Sequence, residues 1–245
     1  MRIGILQCGD IVPEMVAKYE SYVPMFQRLL DSGGDPFDYA TWRVVGGEMP
    51  DAVDSCDGWV VTGSRHGVYE DFDWIAPLKT FLRDCVERGV PVIGVCFGHQ
   101  ILAEAMGGKV VKSEKGWGLG VHHYSATAHE DWFGALADGF SNYAIHQDQV
   151  IAVPPGATVL ATSEFCEVAA LAYGSPDRPV AISVQPHPEF QTDYVSDVIR
   201  QRLMPVIEPA QGSAALDSLA RPVDNATWGA VMARFLRDAH ARRTG

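Results

Sequence analysis

Apolar positions along this chain switch repeatedly between a period of about two and a period of about 3.6, and the switches mark out its elements. Arg2 to Cys8 is a strand-like run closed by Gly9-Asp10. Ser21 to Leu30 carries apolar residues at 22, 23, 26, 29 and 30 and stops at Gly33-Gly34, the spacing and terminator of an amphipathic helix. Asp38 to Val45 alternates and Gly58 to Thr62 is short and apolar, which predicts two more strands. Apolar residues at 74, 78, 81, 82, 85 and 86 predict a helix over Trp74 to Val86, ended by Gly89. Val90 to Val95 then reads as a strand buried on both faces. From Phe97 the period changes again, with Ile101, Leu102, Ala105 and Met106 on one helical face before Gly107-Gly108. The order β-α-β-β-α-β-α predicts a parallel sheet with helices on both faces, and such sheets bind ligands at the carboxyl ends of their strands.

After Gly108 the pattern becomes a series of short strand-like runs: Lys109 to Lys112, Leu119 to Thr127, Tyr143 to His146, Thr158 to Thr162, Val168 to Tyr173 and Val180 to Gln185. Few helical stretches intervene, so antiparallel hairpins added to the parallel core are expected. Pro154-Pro155-Gly156 and Ser175-Pro176-Asp177 are turns. Helical spacing returns over Tyr194 to Leu203, Pro205 to Pro222 reads as an irregular connection, and a last helix runs from Trp228 to about Ala239. With no internal repeat and no clear boundary, the expectation is one α/β domain over 1–245 with a C-terminal helical extension from about 205.

Composition narrows the function classes. The formal net charge is −12, which opposes binding to nucleic acid or to an anionic membrane surface. Cysteines at 8, 56, 85, 96 and 166 form no C-x-x-C pair and are odd in number, so neither a zinc site nor a disulfide framework is expected, and a reducing, cytoplasmic setting fits. Met1 to Leu6 enters the first strand without a long apolar signal region, and no window has the length of a membrane span. Histidines 66, 99, 122, 123, 129 and 240 show no ligand spacing; His122 and His123, adjacent in a strand, point to opposite faces. No phosphate loop of Walker type is present, and no metal or cofactor is expected. Trp117, His122, Tyr124, Trp132 and Phe133 read as core and loop packing, with the mouth of a substrate site as the alternative.

Cys96 stands out where the buried strand meets the helix. Gly94 and Gly98 bracket it at two residues on either side, and their missing side chains permit the tight turn that lifts a nucleophile out of a sheet. A helix N-terminus at that place favours thiolate through its partial positive charge and free N–H groups. A nucleophilic cysteine needs a base and a group that orients the base. His187 follows the strand-like run Val180 to Gln185, on the same rim of the sheet as Cys96 if the two strands are parallel. Prolines 186 and 188 stiffen its turn, and Glu189, two residues on, is placed to hold the imidazole in the tautomer that accepts the thiol proton.

The motifs Gly94-Val95-Cys96-Phe97-Gly98-His99-Gln100 and Gln185-Pro186-His187-Pro188-Glu189 together resemble the class I glutamine amidotransferases, whose glutaminase domains carry G-x-C-x-G-x-Q and a later Q-x-H-P-E. The resemblance covers about residues 40 to 200. It implies a flavodoxin-like, doubly wound sheet, with Cys96 as nucleophile, His187 as base and acid, and Glu189 as its orienting partner. It also implies an oxyanion hole from the backbone N–H groups of Phe97 and Ser64. Ser64 and Arg65 depart there from the Gly-Gly-Pro that many members carry after an earlier strand. Gly63, Gln100, and His146 and Gln147 with Asp148 match substrate-binding positions. The activity implied is cleavage of the γ-glutamyl amide of glutamine or of another small γ-glutamyl compound through a cysteinyl thioester. Gly116-Trp117-Gly118 and the long tail are most similar to stand-alone members like the glutaminase domain of GMP synthetase. A self-sufficient hydrolase, an ammonia-delivering subunit of a separate synthetase, and an inactive binding domain of the same fold are the readings this leaves.

Overall fold

The computed structural model describes residues 1–128 and 130–245, so His129, one of the histidines without ligand spacing, lies outside the described residues. In chain order the strands are β1 (Arg2–Leu6), β2 (Asp38–Trp42), β3 (Gly58–Val61), β4 (Val92–Val95), β5 (Lys109–Lys112), β6 (Gly118–Ala126), β7 (Phe140–His146), β8 (Asp148–Ala152), β9 (Ala157–Thr162), β10 (Ala170–Ser175) and β11 (Arg178–Val184). The helices are α1 (Pro13–Tyr19), α2 (Val23–Asp31), α3 (Ile75–Glu87), α4 (Phe97–Ala105), α5 (Thr192–Val198), α6 (Pro209–Ser218) and α7 (Asn225–Thr244).

Nine strands form one sheet in the order β2-β1-β3-β4-β11-β10-β9-β6-β7. The first five are mutually parallel, and from β10 onward every pairing is antiparallel. The expected parallel core with antiparallel additions is therefore observed. β5 and β8 make a separate antiparallel pair. Side chains alternate across the parallel strands, as the pleat requires. Ile3, Ile5, Val60 and Ile93 face the core closed by α2 and α7. Leu6, Trp59, Val61 and Val92 face the core closed by α3 and α4. A third cluster, built from Met15 of α1, Tyr194 and Val195 of α5 and Ala215 of α6 against Leu119, Val121 and Tyr143, covers the carboxyl-end rim where the sheet turns antiparallel.

Three elements differ from the sequence expectation. α1 was not expected, because its seven residues bury only Met15 and present no apolar stripe. β8 was not expected either, since its pattern of two buried residues followed by exposed Ile151 and Ala152 carries no alternation. Within Pro205 to Pro222, expected to be irregular, α6 forms; Pro209 starts it and small residues face inward, with Gly212 closely approached by the Met204 sulfur.

Candidate active site

Register brings the rim together. Val184 at the end of β11 is paired with Val95 at the end of β4, and Val61 at the end of β3 with Gly94. The segments that follow, at Thr62, Cys96 and Gln185, therefore leave the sheet side by side. Cys96 has φ 53° and ψ −102°, a conformation that costs a non-glycine residue on the order of 1–3 kcal/mol and persists only where its surroundings impose it. Its N–H donates to the Val184 carbonyl at 2.9 Å, and its carbonyl accepts from Gln100 N–H at 3.0 Å, so sheet and helix each hold one side of the strained residue. The flanking glycines are obligatory for packing. A Cβ on Gly98 would overlap the Val61 carbonyl, and one on Gly94 would overlap the Gly98 carbonyl.

His187 is buried, and its Nδ1 meets Glu189 Oε1 at 2.6 Å. Its backbone N–H donates to the Tyr143 carbonyl at 2.8 Å. The Phe190 ring stacks on the imidazole, with centroids 4.1 Å apart and planes 9° from parallel. With Nδ1 on the carboxylate, Nε2 is the nitrogen left to face Cys96, and both residues line the same pocket. Burial acts to lower the imidazole pKa, but the charges of Glu189 and Cys96 beside it and the hydrogen bond to Glu189 outweigh it and raise it to about 10. Gly63 lies against this pair: a Cβ there would stand 3.3 Å from His187 Cε1 and 4.0 Å from Cys96 Cβ.

A cavity of about 470 Å³ opens above Cys96 and His187, within the size range of small-molecule sites. Gly63, Ser64, Gln100, His146 and Gln147 all line it, so every substrate-binding position inferred from the sequence reaches the same space. The N–H groups of Ser64 and Phe97 have no acceptor among the described residues; that of Phe97 is in the first turn of α4, where no intrahelical partner exists. Gln100 is more firmly tied than a free recognition group, because its Nε2 donates to the Asp148 carbonyl at 2.9 Å and to Gln185 Oε1 at 3.1 Å. His146 is held neutral by burial, which lowers its pKa to about 3; Nδ1 faces the Asp148 carbonyl at 3.2 Å and Nε2 has no partner among the described residues.

Several residues escaped the sequence reading. Tyr143 and Phe190 fix the histidine, and of the two only Phe190, adjacent to the Q-x-H-P-E motif, had a signal in its position. Tyr69 and Asp148 face the same pocket; burial first, and then the nearby Asp148 carboxyl, push the phenol up to about 12, while burial raises Asp148. Of the aromatic set considered as a possible mouth, Trp117 lines the pocket, whereas Tyr124 and Phe133 are fully buried core. His99, without ligand spacing, is a buried tie from α4 to Ser183 Oγ (2.8 Å) and the Val168 carbonyl (3.1 Å). Among the described residues no group of three or more His, Cys, Asp or Glu is placed to hold a metal, and no helix is long and apolar enough to cross a membrane.

The chain is similar to known proteins both in sequence and in fold. Gamma-glutamyl peptidase 3 of Arabidopsis thaliana is 30% identical over 236 residues, covering 91% of this chain and 92% of that protein. A glutamine-hydrolyzing GMP synthase subunit of Halobacterium salinarum is 32% identical over 126 residues, covering 51% of this chain and 67% of that one. A crystal structure of a glutamine amidotransferase from Thermotoga maritima superposes with a TM-score of 0.74 over 98% of both chains at 17% identity, which establishes the shared fold. The family model for class-I glutamine amidotransferases matches residues 48–203, the stretch that holds the Cys96 elbow, the His187–Glu189 pair and the pocket wall between them, and this chain belongs to that family.

Proposed function

We propose that this protein is a self-sufficient hydrolase of γ-glutamyl amides and peptides, acting through a Cys96–His187–Glu189 triad. The observation that carries the reading is the meeting of a strained, positive-φ cysteine with a buried imidazole–carboxylate pair on the next strand end, over one cavity. The Cys96 sulfur attacks the γ-carbonyl carbon, and negative charge develops on the carbonyl oxygen. The N–H groups of Phe97 and Ser64 are the donors available to it. His187, charged with Glu189 beside it, gives its proton to the leaving nitrogen as the C–N bond breaks, leaving a glutamyl thioester and a free amine. Neutral His187 then takes a proton from water, the hydroxide oxygen adds to the thioester carbon, and the C–S bond breaks to release glutamate and restore the thiolate–imidazolium pair. Tyr69, Asp148, Gln147 and the unpartnered His146 Nε2 supply polar contacts suited to the charged α-amino and α-carboxylate end of the glutamyl group.

Self-sufficiency is favoured over ammonia delivery by length of match: likeness to a protein named a γ-glutamyl peptidase covers 91% of this chain, whereas likeness to the synthase subunit covers half of it. The test is glutamate release from glutamine, γ-glutamyl dipeptides and glutathione by the purified chain, with Cys96→Ala as control. Cys96-dependent release without a partner is expected. A well-folded protein silent on all of them, yet activated by a co-purifying ATP-dependent synthetase, would falsify this reading in favour of the ammonia-delivering role.

A further inference from the structure

α5 passes directly into a π turn at Ile199–Leu203. A π turn inserts an extra residue into the helical spiral and re-aims the side chains around it, and such turns concentrate at functional sites. Here Val198, Arg202, Leu203 and Val206 all reach the lining of the pocket, beside Phe190 and Tyr194. This wall comes from different elements than the polar wall of Tyr69, Gln147 and Asp148. It also begins at the catalytic imidazole, because Phe190 is stacked on His187 and packed on Tyr194 at 4.5 Å. The nitrogen leaving the acyl group has to lie within reach of His187, so whatever that nitrogen carries extends along the wall that starts at Phe190. Ammonia would leave this wall unused.

The wall has a charge as well as an apolar face. Three cations line the pocket without an ion pair among the described residues, Arg65, Lys112 and Arg202, and of these Arg202 is the one beside Val198, Leu203 and Val206 in the chain. An unpaired guanidinium at the pocket rim, in a chain of net charge −12, is complementary to a carboxylate on the ligand. Val206 beside it is 70% exposed, an apolar surface awaiting cover.

We infer that Val198, Leu203 and Val206 form a leaving-group subsite for an α-amino acid with an apolar side chain, whose free carboxylate is held by Arg202, so that the preferred substrate is a γ-glutamyl dipeptide. The inference rests on the proposed γ-glutamyl hydrolysis and adds the identity of the group released. Both carboxylates of such a substrate then have polar partners on walls built from different elements, and the scissile bond lies over Cys96.

The test compares kcat and KM of the full chain on γ-glutamyl-leucine, γ-glutamyl-leucine amide and γ-glutamyl-isoamylamide. In the wild type, kcat/KM for the acid exceeds that for its amide by about tenfold, as expected for one charge-assisted hydrogen bond at a partly exposed site, and the ratio shrinks at high salt. Arg202→Ala brings the ratio near one through KM, Arg202→Lys restores part of it, and Arg202→Glu drives it below one. Equal turnover of acid and amide by the wild type, or an acid preference that survives Arg202→Ala, would overturn the subsite while leaving γ-glutamyl hydrolysis standing. Absence of Cys96-dependent glutamate release from all three compounds and from glutamine would sink the parent reading, and this one with it.

Discussion

A cysteine reacts in proportion to its thiolate and its access, and burial holds four of the five cysteines of this chain back as thiols. Burial pushes Cys8 and Cys85 far above the ordinary thiol range, Cys166 up to about 12 and Cys56 up to about 11. At pH 7.5 a thiol at 11 is thiolate in on the order of one molecule in three thousand. Cys96 alone stands at a helix N-terminus against an imidazole and opens to a cavity. Brief iodoacetamide treatment at that pH should therefore label Cys96 first, read by peptide mass spectrometry; labelling of Cys56 at a similar rate would refute the assignment. The histidine gives a second prediction. Glu189 is a main cause of the raised His187 pKa, so Glu189→Gln should lower it, and the alkaline limb of kcat/KM, where the imidazolium is lost, should move to lower pH by about one unit or more. We expect kcat to fall about 10- to 100-fold, less than in His187→Ala, which removes the proposed base itself. An alkaline limb that stays put would show that Glu189 does not set the charge of the ring.

At the scale of elements, the elbow depends on three backbones packed without side chains between them. Gly98 in the first turn of α4 lies on the Val61 carbonyl of β3, and Gly94 of β4 lies under the Gly98 carbonyl. Gly98→Ala meets backbone rather than a flexible side chain, so no rotamer change relieves it. A loss of about 3 kcal/mol in urea unfolding is expected, together with most of the activity. Near-wild-type stability in that variant would mean that α4 can shift away from β3. This close approach was legible in the sequence, because two glycines bracketing a cysteine at a change of hydrophobic period are what a tight strand-to-helix turn requires. The same spacing made β4, α4 and β11 readable, and with them Cys96, His187 and Glu189. What was not legible depends on contacts between distant segments. α6 has little apolar periodicity and is held by its small face, β8 is defined by pairing with β5, and the stacking of Phe190 on His187 arises from a turn geometry that composition does not encode. α7 was readable as a helix but not in its weight. Its Trp228, Val231, Met232, Phe235 and Leu236 belong to the core under the sheet, and Gly229 and Gly33 allow α7 to lie directly on α2, so it is no appendage.

For the molecule as a whole, the buried histidines set a limit on the acid side. His99 is completely buried between Ser183 and Val168, and burial lowers its pKa from the ordinary 6.5 to about 4. His146 is lowered to about 3 by burial and by neighbouring histidines. Both are neutral in the folded protein below pH 6.5, where an unfolded chain would already bind their protons. The unfolded state thus holds more protons than the native state between about 6.5 and about 4, and stability rises with pH through that window and falls as pH drops through it. His187 does not compensate, since both states hold its proton below about pH 6.5, so its stabilising contribution is constant there and is lost only as pH rises from about 6.5 toward 10. The lowered carboxyls of Glu70, Asp177 and Asp197 are near the surface and lose their contribution only at still lower pH. Each of the two neutral histidines should therefore remove about 2–3 kcal/mol between about pH 7 and pH 4.5, a large share of the stability of an ordinary domain. Urea unfolding at the two pH values measures the difference, and His99→Gln, which cannot titrate, should shrink it by about 2 kcal/mol whatever its own cost at neutral pH. An unchanged pH dependence in His99→Gln would mean that the imidazole at 99 is not the group whose protonation opens the sheet.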